Sequence, residues 1–189
     1  MRKILVIGSS GSGKSTVARK LGELLKIEVI HLDSHFWHPG WMETPKDEWT
    51  GVVERLLERD AWIMDGNYSG TLEKRILACD TIIFLDLPRR ICLARVLKRV
   101  IAYRNQSRPD VAEGCPERLD WEFLKWVWGY PKRTRPGIIQ LLEKNSESKG
   151  VIWLRSQTEI KLFLKNPLIN QRREDWITEE SRPGIVNRH

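Results

Sequence analysis

The eight residues Gly8-Ser9-Ser10-Gly11-Ser12-Gly13-Lys14-Ser15 constrain this chain more than any other stretch. They satisfy the spacing GxxxxGK[ST], and Thr16 follows. Glycine accepts the left-handed backbone that turns successive N–H groups toward one point, so such a loop forms a concave anion site. On its N-terminal side, Lys3 to Ile7 (KILVI) is short, apolar and β-branched, the pattern of a strand buried on both faces. On its C-terminal side, a helical pattern runs from Lys14 to about Leu25 and puts Val17, Leu21, Leu24 and Leu25 on one face. A helix N-terminus adds its own unpaired N–H groups and positive dipole end to the loop. Gly8, Ser9, Ser10, Gly11, Ser12, Gly13, Lys14, Ser15 and Thr16 are therefore the expected phosphate-binding residues. Lys14 is placed to reach the β- and γ-phosphates of a nucleotide, and the Ser15 hydroxyl to ligate Mg²⁺.

The rest of the chain alternates short apolar runs with helical patterns. Glu28–Leu32, Ala61–Met64, Thr81–Leu87 and Gly150–Leu154 read as further strands. Between them, helices are expected after Thr44-Pro45, with Thr44 as N-cap, over Thr71–Leu77, and from Pro88 to about Tyr103. Two more are expected at about 118–128 and 132–145, and a last one over 157–165. Such alternation implies a three-layer α/β/α fold around a parallel five-stranded sheet. At 189 residues the chain is of one-domain length. The expected organisation is a domain over 1–165 and a polar tail over 166–189.

Net charge is +7, and it is unevenly placed. Residues 89–136 hold 12 Lys/Arg against 5 Asp/Glu, while the remainder is neutral. That segment is expected to meet phosphate, either of a nucleotide or of a nucleic-acid backbone. No run of about 18 apolar residues is present, so no membrane span is expected. The apolar run after Met1 is too short for a secretory signal, which makes the cytoplasm the default location. Cys79, Cys92 and Cys115 are scattered and form no CxxC pair, so neither a disulfide framework nor a thiolate metal site is expected. Two apolar runs deliver a carboxylate near their ends, Asp65 in WIMD and Asp86 in IIFLD. Either suits a metal ligand beside the phosphate loop, because ligands of such sheets sit at the strand C-termini.

The phosphate loop, Asp65-Gly66 after the third strand, and Pro88 followed by Arg95 and Arg99 resemble the adenylate-kinase-like P-loop kinases. HLDSHFWHPGW, IMDGNYSGTLEKR, RPDVAEGCPERLDWEFLKWVW and VIWLRS together are similar to bacterial topology-modulation (FlaR-type) proteins, over about residues 1–165. The resemblance implies sheet order 2-3-1-4-5, a helical lid inserted at about 104–136, and ATP with Mg²⁺ as cofactors. It prefers Asp65 to Asp86 as the carboxylate holding Mg²⁺ through water. It matches Arg95 to an arginine covering adenine, Arg99 to one reaching the ATP phosphates, and Arg155 and Ser156 to the loop beside adenine. The kinases' DGFPR motif is here Asp65-Gly66-Asn67-Tyr68-Ser69, so their phosphate-gripping arginine is absent there; Arg75, further along, is the candidate replacement.

HLDSHFWHPGW brings His31, Asp33, His35 and His38 close together. A zinc site is not favoured, since structural zinc takes ligands from two braced segments and no second segment is evident. The resemblance instead makes Asp33, read at the end of the second strand, the residue that orients or deprotonates an acceptor hydroxyl. Phe36, Trp37 and Trp41 are then candidate walls of the acceptor pocket. Among the lid cations, Arg133 and Arg135 are the candidates for stabilising the transferred phosphate. Trp121, Phe123, Trp126, Trp128 and Tyr130 are expected to serve packing more than base stacking. The implied activity is phosphoryl transfer from Mg-ATP to a small acceptor, a nucleoside, nucleotide or related metabolite. The alternative is a nucleotide-dependent DNA-binding or topology-modulating regulator, although no helix-turn-helix, zinc-finger or RNP-like signature is present.

Overall fold

Residues 1–167 are described by a computed structural model. The elements run, in chain order, β1 (Lys3–Gly8), α1 (Lys14–Leu25), β2 (Val29–His31), α2 (Leu32–Phe36), β3 (Trp37–His38), β4 (Met42–Glu43), α3 (Lys46–Leu57), β5 (Trp62–Asp65), α4 (Ser69–Ala78), β6 (Thr81–Leu85), α5 (Arg89–Ala102), α6 (Trp121–Arg133), α7 (Arg135–Asn145), β7 (Gly150–Leu154) and α8 (Gln157–Lys165). Five strands form one sheet in the order β2-β5-β1-β6-β7, and every pairing in it is parallel. Counting those five alone, the order is 2-3-1-4-5, as the sequence implies. β3 and β4 form a separate antiparallel hairpin, which the sequence reading did not anticipate.

Strand alternation sorts the core into two layers. Ile4 and Val6 of β1 face one side with Ile83 and Leu85, against Val17 and Leu21 of α1, Cys92 and Val96 of α5, Val127 of α6 and Phe163 of α8. Leu5 and Ile7 face the other with Met64 and Phe84, against Trp49 and Val53 of α3, Leu72 and Ile76 of α4, and Ile138 and Leu142 of α7. Buried on both faces, the central strands have no polar side to show, which explains their continuous apolar runs. No helix among the described residues is long and apolar enough to cross a membrane.

Several local expectations are corrected. β2 ends at His31, so Asp33 lies in the short helix α2 and not at a strand end. Thr44 does not cap α3: its N-cap residue is Pro45, and the Thr44 hydroxyl donates to the Phe36 carbonyl at 2.6 Å, anchoring the hairpin base. Pro131 lies inside α6, and the break falls at Thr134, after which Pro136 opens the first turn of α7. Of the expected tail over 166–189, residues 168–189 lie outside the described residues.

The phosphate loop is pressed against α5. Gly11 has φ 79°, and a Cβ there would lie 2.2 Å from the Cys92 carbonyl oxygen. Backbone cannot retreat as a side-chain tip can, so this contact admits only glycine. Gly11→Ala is expected to cost about 2 kcal/mol or more, lowering the melting temperature by about 4 °C or more. A variant melting like the parent would contradict this close approach.

Candidate active site

The loop between β1 and α1 opens into a cleft of about 1520 Å³ at the C-terminal edge of the sheet. α1 starts at Gly13, which has φ 99° and no capping side chain, and its first turn holds no acidic residue. The first N–H groups of a helix have no partner within it, so an uncapped end facing a cleft is suited to an anion. Ser9 Oγ and Ser12 Oγ are buried in the same loop without hydrogen-bond partners. Lys14 Nζ donates to the Ser9 carbonyl at 3.1 Å. Burial lowers the Lys14 pKa, opposed by the charges of Asp33 and Asp65.

The Gly66-Asn67-Tyr68 segment clamps this loop from the side. Asn67 Oδ1 accepts from Gly8 N at 3.0 Å, and Asn67 Nδ2 donates to Gly8 O at 2.8 Å. Arg75 holds the segment in turn. Its guanidinium is fully buried and donates to the carbonyls of Gly66 at 2.8 Å, of Asn67, and of Tyr68 at 2.9 Å. Arg75 therefore does not supply the missing phosphate-gripping arginine: it is buried, and its Nη1 and Nη2 donate to backbone carbonyls.

The carboxylates divide by environment. Asp65, at the end of β5, lines the cleft and accepts from or donates to His31 Nδ1 at 2.8 Å, according to protonation. Burial pushes the His31 imidazole down, but the hydrogen bond to Asp65 together with the charges of Asp65 and Asp110 raises its pKa overall. Asp86 is instead held by Arg135, at 2.7–3.1 Å, and by Trp153 Nε1 at 3.0 Å. Asp33 is half-exposed in the cleft, with Tyr68 Oη donating to its Oδ1 at 2.6 Å. Burial, then the Asp33 charge, raises the Tyr68 pKa, so the phenol stays a donor.

The 104–117 loop turns Arg108, Asp110 and Glu117 inward. Glu117 Oε1 lies 3.0 Å from Arg99 Nε and 2.5 Å from Arg108 Nε. These are ion pairs by distance, without hydrogen-bond alignment. Arg108 Nη1 donates to Asp110 at 2.8 Å, and Arg108 Nη2 lies 3.8 Å from Asp33. Burial raises the Asp110 carboxyl pKa, but Arg108 and a hydrogen bond with Ser15 draw it below its usual value.

The other sequence candidates are distributed unevenly. Arg95 Nη1 donates to the Ser12 carbonyl at 3.0 Å, and Arg99 and Arg133 also line the cleft. Arg133 sits over the Trp126 ring at 4.9 Å, and Trp126 stacks on Phe123 with both rings lining the cleft. The pair also packs against the core, as expected, and Tyr130 is buried in it, whereas Trp121 is exposed. Arg135, Arg155 and Ser156 do not line it. Arg155 lies over Trp153 at 4.6 Å, and Ser156 caps α8 by accepting from Glu159 N at 3.1 Å. His31 and His38 do not converge: His38 Nε2 is 3.2 Å from Thr44 Oγ1. Among the described residues no group of three or more His, Cys, Asp or Glu could hold a metal.

Sequence reasoning missed Asn67, Asp110 and Glu117, and misassigned Arg75. Arg75 carried a legible signal, because Thr71, Leu72, Arg75 and Ile76 share the buried stripe of α4. Asp110 and Glu117 lie in a loop without periodicity, where nothing marks an inward-facing charge. Replacing Arg75 by Leu is expected to cost about 3 kcal/mol or more by leaving buried carbonyls unpaired. Lys74→Ala, which removes an exposed pair with Glu54, should cost within about 1 kcal/mol. Equal urea midpoints for the two variants would contradict the role given to Arg75.

Comparison with known proteins agrees with the fold. No protein-family model matches the chain. A shikimate kinase of Rhodococcus erythropolis is 27% identical over 137 residues, 65% of this chain and 78% of that protein. Among solved structures, shikimate kinase from Acinetobacter baumannii in complex with shikimate has a TM-score of 0.56 at 18% identity, covering 89% of this chain and 91% of that one. A gluconokinase from Sinorhizobium meliloti 1021 has a TM-score of 0.51 at 16% identity, covering 90% and 91%. The chain has the fold of these P-loop kinases.

Proposed function

We propose that this chain is a kinase that transfers the γ-phosphoryl group of Mg-ATP to the hydroxyl of a small metabolite. The observation carrying this reading is the uncapped start of α1, with Lys14 beside it, opening onto the cleft that also holds Asp33. The kinases of similar sequence and fold support the same class of chemistry.

Each residue then has a role. The backbone from Gly8 to Thr16 cradles the phosphates, and Lys14 counters charge on the β- and γ-phosphates. Ser15 and Asp65 would hold Mg²⁺, directly and through water. Among the described residues no three His, Cys, Asp or Glu converge on one point, which fits an ion that keeps waters and phosphate oxygens in its shell. When bound, that ion neutralises charge developing between the β- and γ-phosphates. Arg95 and the Phe123–Trp126 pair would border the base, and Arg99 and Arg133 the phosphates. Arg135, Arg155 and Ser156 have structural partners and are left out of the chemistry. Asp33 is the general base: Tyr68 fixes one of its oxygens and leaves the carboxylate half-exposed to the cleft.

The resemblance to topology-modulation proteins supports a second reading, in which the basic segment grips DNA. Against it, Arg99 and Arg108 are turned inward onto Glu117 and Asp110 and do not form an outer basic face.

Lys14→Ala should abolish the rise in melting temperature that Mg-ATP gives the parent protein. An unchanged rise would reject the role given to Lys14. Asp33→Asn should keep that rise while slowing acceptor-dependent ADP formation by about 100-fold or more. Parental turnover in this variant would move the base elsewhere. Binding of duplex DNA that weakens steeply with salt, without acceptor-stimulated ADP formation, would favour the second reading.

A further inference from the structure

The acceptor end of the cleft specifies more than a hydroxyl. We propose, resting on the kinase reading above, that the acceptor is an uncharged ring-bearing alcohol of the nucleoside class, and that the pocket disfavours acceptors carrying carboxylate or phosphate.

One wall is a run of aromatic rings leading to the base. Trp41 meets Trp37 at 5.4 Å, Trp37 meets Phe36 at 4.9 Å, and Phe36 meets Tyr68 at 4.7 Å between ring centres. Tyr68 then bonds Asp33. Trp49 backs the run, at 5.0 Å from both Phe36 and Tyr68. This wall offers flat apolar surface to a ring whose hydroxyl reaches Asp33. The β3–β4 hairpin that carries Trp37 and Trp41 is fixed against the 104–117 loop. Trp41 Nε1 donates to Pro116 O at 2.9 Å, and Gly40 N donates to Gly114 O at 2.7 Å.

The charges beside this wall disfavour an anion. Asp33, Glu43, Asp110 and Glu117 line the cleft with Arg108 and Arg118, while Lys14, Arg95, Arg99 and Arg133, which also line it, are assigned above to ATP. Arg108 faces three carboxylates: its Nε lies 2.5 Å from Glu117, its Nη1 donates to Asp110 at 2.8 Å, and its Nη2 lies 3.8 Å from Asp33. Arg118 is exposed and follows Glu117 directly in the chain. Arg75 is buried on backbone carbonyls. An acceptor carboxylate would be desolvated among like charges, with Arg108 already facing carboxylates and Arg118 exposed. A neutral hydroxyl needs only the Asp33 carboxylate as its acceptor. In the transfer, the hydroxyl proton passes to Asp33 as its oxygen bonds to Pγ. The bond from Pγ to the β,γ-bridging oxygen breaks, and ADP leaves with that electron pair.

The test uses the full chain with Mg-ATP and measures ADP formation. The neutral probes are adenosine, guanosine, cytidine, uridine and thymidine; the anionic probes are their 5′-monophosphates and shikimate. At least one nucleoside is expected to raise turnover about 10-fold or more above background, with no rise from any anionic probe. Trp37→Ala should raise the KM for that nucleoside about 10-fold, and Trp37→Phe should restore most of the loss. Stimulation by shikimate or a monophosphate, or by no nucleoside, overturns the inference. Melting of the same preparation with Mg-ATP separates the two levels. Stabilisation by ATP together with the wrong acceptor, or none, rejects this inference alone, whereas no stabilisation rejects the kinase reading and this inference with it.

Discussion

The start of α1 is the constraint on which the rest of the structure depends. Its first N–H groups face the cleft with no side chain to receive them, because Gly13 has none and the first turn carries no acid. Backbone donors left in that state need an external acceptor. The neighbouring structure keeps them aimed at the cleft. β1 delivers the loop from the sheet centre, Gly11 permits contact with α5, Arg95 holds the Ser12 carbonyl, and Asn67 bonds both backbone groups of Gly8. Arg75 supports Asn67 from behind through the carbonyls of the same segment. The anion site is thus held by buried polar contacts on several sides, and its geometry does not depend on a flexible loop.

The second organising element is the charge network of the 104–117 loop. A single carboxylate oxygen of Glu117 lies between Arg99 and Arg108. Arg108 also holds Asp110 and brings the network toward Asp33. Buried ion pairs contribute little net stability, since desolvation offsets most of their attraction, but they fix position closely. Here they set the distance between the arginines that would meet phosphate and the carboxylate that would receive a proton. The hairpin adds a further tie, through the Cys115 thiol at 3.1 Å from the His38 carbonyl and the Trp41 and Gly40 hydrogen bonds.

Much of this arrangement was legible in the residues. The parallel sheet follows from continuous apolar runs alternating with helical patterns, because a strand buried on both faces leaves that trace, while its order came only from the resemblance to P-loop kinases. The placement of Asp65 at a strand end was equally visible. The break after His31 was not: Leu32 continues the strand-like run that begins at Glu28, and the five residues of α2 are too few to show a helical period. The two-residue strands β3 and β4 are too short for periodicity, though Pro39-Gly40 marked the turn between them. The partners of Arg135, Arg155 and Ser156 were hidden for a different reason. Position along the chain near a kinase-like motif says nothing about whether a cation is already bound by Asp86 or lies over Trp153.

The central claim is that backbone amides at the start of α1 hold phosphate. Amide-resolved NMR of the protein, titrated with Mg-ATP, tests it directly. The account predicts that the largest shifts fall on the amides of Ser9 through Ser15, and that AMP at equal concentration moves them far less. Shifts concentrated elsewhere, or an equal response to AMP, would contradict it.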